Sequence, residues 1–125
     1  MHLILGGRYM GKRTYALKLY GSFPNEMSLS DYEPEEIREG LITDLHIGAK
    51  KLLLQNINPL EFFSERLGIL RHSVITGDEI GGGVVPADPF GRKWRDETGR
   101  LYQFLADKAE IVDRVFAGLP MRLKG

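Results

Sequence analysis

The sequence predicts an α/β fold, a mostly parallel β-sheet covered by helices on both faces in three layers. Short apolar runs alternate with stretches of helical periodicity along the chain. A glycine loop follows the first apolar run and opens a helix, as at the ligand-binding edge of parallel sheets. The 125 residues, 42% hydrophobic, suffice for one domain with a real core.

The elements follow in order. HLIL, closed by Gly6-Gly7, has the character of a buried parallel strand. From Gly11 to Tyr20 the residues Tyr15, Ala16, Leu19 and Tyr20 recur at helical spacing, and Gly21 supplies a stop. EMSLSDY holds a short second strand before the acidic turn EPEEIREG, and LITDL reads as a third strand. Ala49, Leu52, Leu53 and Asn56 give Ile47 to Ile57 helical periodicity, and NPLEFFSERLG is a short helix with Pro59 near its start. HSVIT is a further strand. GDEIGGGVVPADPFG is expected to be a loop from its glycine and proline content. DETGRLYQFLADKAE is expected to be helical, and IVDRVFAG and MRLK to be closing strands. No repeat, low-complexity tract or linker interrupts the chain, so residues 1–125 are expected to form a single domain.

Composition narrows the function classes. A formal net charge of zero leaves no overall electrostatic footprint for nucleic acid or an anionic membrane. Without cysteine there are neither disulfides nor thiolate metal sites. No apolar run is long enough to span a bilayer, and the first residues do not form a signal peptide. A soluble, cytoplasmic protein is the expectation.

GGRYMGKRT, Gly6 to Thr14, fits the pattern G-x-x-x-x-G-K through Gly6, Gly11 and Lys12. In such a loop Gly6, Gly7, Arg8, Tyr9, Met10 and Gly11 supply backbone N–H groups that converge on phosphate oxygens. Lys12 adds a positive charge, and Arg13 and Thr14 open the helix whose N-terminus favours anions. Arg13 occupies the place of the serine or threonine that holds magnesium, and Thr14 is one position, about 100°, away. The other reading is a plain Gly-Gly turn with Lys12 in solvent.

The C-terminal third carries further features: Glu79-Ile80-Gly81 after a strand, then GGVVP, GRKWRD, GRLYQFLADKAEIV and a closing AGLPMRLK. With LILGGRYMGK at the other end, they cover about half of the chain and resemble the adenosylcobinamide kinase / adenosylcobinamide-phosphate guanylyltransferase family of cobalamin biosynthesis. The resemblance implies a P-loop NTPase-like fold and a nucleotide, ATP or GTP, accompanied by Mg2+. It implies phosphorylation of the hydroxyl of adenosylcobinamide, then transfer of GMP through a guanylylated histidine. It also implies a homo-oligomer in which neighbouring subunits help complete the site.

The chain departs from the family pattern in three ways. It is shorter than full-length members between the second strand and the middle helix, where the family carries its nucleophilic histidine. Tyr102 stands where the family has asparagine, and Arg13 replaces the magnesium hydroxyl. GLITDLHIGAKKLL aligns with the family's third strand and following helix, so His46 is not the nucleophile's counterpart.

Other residues have their own chemistry. Asp44 ends a strand and suits either magnesium held through water or a helix N-cap. His46 is a candidate nucleophile, or a packing residue at a helix start. Asp78 and Glu79 can coordinate a metal, position a ribose hydroxyl or accept a proton, and the resemblance favours Glu79. Arg92, Lys93, Arg95 and Arg100 cluster around Trp94, where Arg92 and Arg95 can grip phosphate. Alternatively, Arg95–Asp96 and Arg100–Glu97 pairs fix this segment. Two functions remain open: phosphoryl transfer to a corrinoid (cobinamide-type) alcohol, and a nucleotide- or corrinoid-binding module without catalysis.

Overall fold

The computed structural model describes residues 1–80 and 88–125. Among them six strands form one sheet: β1 (His2–Gly6), β2 (Glu26–Ser28), β3 (Leu41–Thr43), β4 (Val74–Asp78), β5 (Ile111–Phe116) and β6 (Leu119–Lys124). Their order is β2-β3-β4-β1-β5-β6; all neighbours are parallel except the β5–β6 hairpin. The helices are α1 (Lys12–Tyr20), α2 (Leu45–Leu54), α3 (Pro59–Ser64), α4 (Leu67–Leu70) and α5 (Pro89–Lys108). The acidic turn contains a short 3-10 segment, Pro34–Glu36.

Alternation along the strands divides the core. Leu3, Ile42, Ile75 and Val112 face α2, α3 and α5, through Leu52, Phe63, Leu101 and Leu105. Ile4, Leu41, Val74 and Val115 face the other way, against Ala16 of α1. The α/β, P-loop NTPase-like expectation is therefore met, with a mostly parallel sheet between helical layers.

One boundary needs correction. The expected loop GDEIGGGVVPADPFG is not a loop throughout: Gly77 and Asp78 complete β4, and α5 starts at Pro89. Asp88 caps that helix by accepting the Gly91 N–H at 2.7 Å, and proline suits the first helical position. Arg92, Trp94 and Arg95 therefore lie on a helix. The glycines from 81 to 83 fall outside the described residues.

A buried polar network ties α1 to the hairpin. Asp113 accepts from His2 Nε2 at 2.6 Å, Tyr15 Oη at 2.9 Å and Arg122 Nε at 2.7 Å, and the Tyr20 hydroxyl meets His2 Nδ1 at 2.7 Å. Burial lowers the His2 pKa, only partly offset by Asp113. Burial alone would raise the Asp113 carboxyl, but hydrogen bonds from Arg122, Tyr15 and His2 outweigh it and hold it below the usual range. Both shifts favour the unfolded chain in acid, because it binds protons first. Stability is thus expected to be full above the ordinary histidine pKa of 6.5 and to fall as pH drops through it. A further loss is expected as the Asp113 carboxyl protonates below its ordinary 3.8. Urea unfolding across this range checks both, and His2→Gln should flatten the first slope. Asp113→Ala should cost about 1–3 kcal/mol at pH 7.5, since it strands the His2 ring.

Candidate functional site

The first glycine loop leads from β1 to α1, and its backbone is held in unusual conformations. Tyr9 has φ +60° and Gly11 φ +95°. Gly6 is required for packing, since a Cβ there would lie 2.5 Å from the Val115 carbonyl oxygen. This loop forms one wall of a cleft of about 940 Å³ at the carboxyl ends of the strands, within the usual range for ligand pockets.

Lys12 lies at its base and is only 8% exposed. Its Nζ donates to the Gly7 carbonyl at 2.8 Å and meets Asp78 Oδ1 at 2.7 Å. The sheet dictates this meeting, because parallel pairing of β1 with β4 sets Gly6 beside Asp78. The plain-turn reading, with Lys12 in solvent, is not what the structure has. Arg13 lines the cleft and pairs with Glu26 of β2. Arg8 stacks on the Tyr9 ring, its guanidinium carbon 4.8 Å from the centroid, and Thr14 lines the cleft.

Asp78 is the acid that organises the centre. Its second carboxylate oxygen faces His46 Nε2 at 3.4 Å, and its backbone N–H donates to His46 Nδ1 at 3.1 Å. That donation makes Nδ1 an acceptor, so the neutral ring carries its proton on Nε2, facing the carboxylate. Burial lowers the His46 pKa; Asp78 and Asp44 oppose this, while Lys12 and Arg8 reinforce it. Neither ring nitrogen has a lone pair free to attack a nucleotide. The Trp94 indole donates to the His46 carbonyl at 2.7 Å, and the two rings stack with centroids 6.4 Å apart. Tyr102 donates to the Asp78 carbonyl at 2.6 Å. It lies against Gly77, where any side chain would collide with its hydroxyl. This accounts locally for a tyrosine at that position.

Asp44 occupies the N-cap position of α2, but in a left-handed conformation and without a capping hydrogen bond. Its carboxylate instead accepts from the hydroxyls of Ser28 and Ser30, the latter at 3.1 Å. Glu79 is engaged by Arg114 in a two-pronged pair at 2.8 and 3.0 Å. Arg92 and Arg95 are not among the described residues that line the cleft. Arg95 pairs with Asp96 at 3.0 Å and Arg100 with Glu97 at 2.6 Å, the two pairs set out from sequence as the alternative to phosphate binding. Among the described residues no three acidic or histidine side chains form a metal cage. The structure thus brings together Lys12, Asp44, His46, Asp78 and Glu79 around one cleft. Sequence reasoning under-weighted Asp78 and Trp94 and missed Ser28 and Ser30; only strand pairing, a tertiary feature, brings Asp78 to Lys12.

A sequence model of the cobinamide kinase / cobinamide phosphate guanyltransferase family matches residues 49–123. The chain belongs to this family. It is also similar to a bifunctional adenosylcobalamin biosynthesis protein, CobP, of Pseudomonas aeruginosa, with 44% identity over 52 residues. That match takes in 42% of this chain and 30% of the relative's length. The family match begins within α2, so the cleft combines a matched wall, from β4 and α5, with a loop that lies outside it.

The charge arrangement gives a direct expectation. Asp78→Asn keeps an acceptor for Lys12 but removes a negative charge from the cleft, so triphosphate should bind several-fold tighter without magnesium. The same change removes a group that raises the His46 pKa, so His46, already expected to titrate below 6.5, should titrate lower still. Calorimetry with ATP and an NMR pH titration check the two parts.

Proposed function

We propose that the chain binds the triphosphate of ATP or GTP in this cleft and transfers the terminal phosphoryl group to a hydroxyl of a corrinoid of the cobinamide type. The observation that carries this reading is Lys12, buried at the base of a strand-to-helix glycine loop and held against Asp78. Phosphoryl transfer needs charge neutralisation and alignment more than covalent chemistry, and a buried ammonium with loop amides supplies both. The acceptor oxygen would bond to the terminal phosphorus as the bond to the bridging oxygen breaks, releasing the nucleoside diphosphate. Asp78, oriented by His46 and Tyr102, would take the hydroxyl proton. Magnesium would be held by phosphate oxygens and, through water, by Asp44, since this ion needs only one or two carboxylates beside substrate phosphates.

Guanylyl transfer through His46 is not part of this reading, because both ring nitrogens are engaged. A homo-oligomer and a cytoplasmic location do belong to it. The exposed Leu119, Met121 and Leu123 of the edge strand β6 favour self-association.

A second reading, a nucleotide- or corrinoid-binding module without catalysis, is favoured by Arg13. Its pairing with Glu26 puts a cation, not a hydroxyl, at the head of α1. Trp94, the single tryptophan, lines the cleft and reports its occupancy by fluorescence. Under the kinase reading, ATP or GTP perturbs that fluorescence more tightly with magnesium than without. Lys12→Ala should weaken binding at least about tenfold, since charge-assisted hydrogen bonds contribute about 1.5–3 kcal/mol each. Binding indifferent to magnesium would support the module, and no binding to either nucleotide would overturn both readings.

A further inference from the structure

The β5–β6 turn reaches the glycine loop from outside the cleft. Phe116 pairs with Leu119, so the turn consists of Ala117 and Gly118 alone, both at positive φ, +50° and +77°. That geometry suits a two-residue hairpin, although alanine is a costly residue for it. The ladder does not use the N–H groups of the turn residues themselves. Both are directed to one residue of the glycine loop: Gly118 N–H donates to the Met10 carbonyl at 2.9 Å, and Ala117 N–H meets Met10 Sδ at 3.2 Å. Packing repeats the contact, because a Cβ on Gly11 would lie 3.4 Å from Gly118 Cα.

We propose that Ala117 and Gly118 are positioning residues for triphosphate binding, acting by locking the Met10–Gly11 peptide. In a trans peptide the C=O and the next N–H point to opposite sides. A Met10 carbonyl held on the hairpin therefore aims the Gly11 N–H away from the hairpin, toward the cleft, where an anion needs donors. Released, that peptide can rotate and present its carbonyl to the phosphates, which repels them. The hairpin fixes the loop's polarity before ligand arrives, so binding need not order it. This role rests on the reading of the loop as a triphosphate site and names a structural partner for it in a different part of the chain.

The test compares ATP and inorganic triphosphate binding by the full chain and two turn variants, well below their melting temperatures. Gly118→Val places a β-branched residue where φ is +77°, whereas Gly118→Asn tolerates that conformation. Gly118→Val is expected to bind about five- to tenfold more weakly, the equivalent of about one hydrogen bond, with Gly118→Asn close to wild type. A merely structural turn would lower the melting temperature and leave the affinity of the folded protein unchanged, and that result overturns the proposal. If Gly118→Val does not fold, hydrogen exchange on the wild type decides. Slower exchange at Ala117 and Gly118 on adding ATP supports the coupling, and unchanged exchange overturns it. Wild-type protein that binds neither probe would overturn the triphosphate reading and this inference together, whereas equal binding by all three proteins would overturn this inference alone.

Discussion

The contact on which the site depends is the ion pair between Lys12 and Asp78 beside the Gly7 carbonyl. It exists because β1 and β4 are parallel neighbours in a register that ends with Gly6 opposite Asp78. A strand slip of one residue would turn Asp78 to the opposite face and leave a buried ammonium without a counter-charge, which is expensive in a low-dielectric interior. Packing enforces the register. Leu3 and Ile75 share one face of the sheet, Ile4 and Val74 the other, and each face is closed by helices. Tyr102 then fixes the end of β4 from α5, using the space that Gly77 leaves open.

Around that pair the polar groups restrain one another, and few are idle. Burial lowers the His46 pKa, and the ring accepts from the Asp78 backbone N–H while its other nitrogen faces the Asp78 carboxylate. Arg114 grips both oxygens of Glu79, and that pair joins the end of β4 to β5 across β1. Arg13 lines the cleft paired with Glu26, while Lys12 is the cleft's buried cation. The cleft offers one buried positive charge, the carboxylates of Asp44, Asp78 and Glu79, the last paired with Arg114, and an aromatic wall at Trp94. This balance suits a polyanion that arrives with part of its charge already neutralised.

The relation between sequence and structure differs from element to element. α1 and the glycine loop were legible because their signals are local: an apolar strand, glycines, a lysine and helical spacing within twenty residues. The start of α5 was misplaced because nearby glycine and proline outweighed a short signal, the Asp88–Pro89 cap. The basic cluster looked like a phosphate grip because its composition matched one. On the helix Arg95 and Arg100 each have acidic neighbours within three residues and pair with them. Ser28 and Ser30 carried no local signal at all; they reach Asp44 only because β2 lies beside β3.

By itself the sequence determined the alternation of strands and helices, the position of the glycine loop and the identity of Lys12 as its cation. Each of these is written in residues close together in the chain, where backbone propensity and apolar periodicity act directly. Tertiary structure decided which acid faces that cation. Asp78, the last residue of β4, and the adjacent Glu79 differ little in sequence terms, and only strand order and register determine which partner each one meets. It decided equally that the turn at Ala117 and Gly118 would meet Met10, more than a hundred residues away along the chain, because β1 and β5 are neighbours in the sheet.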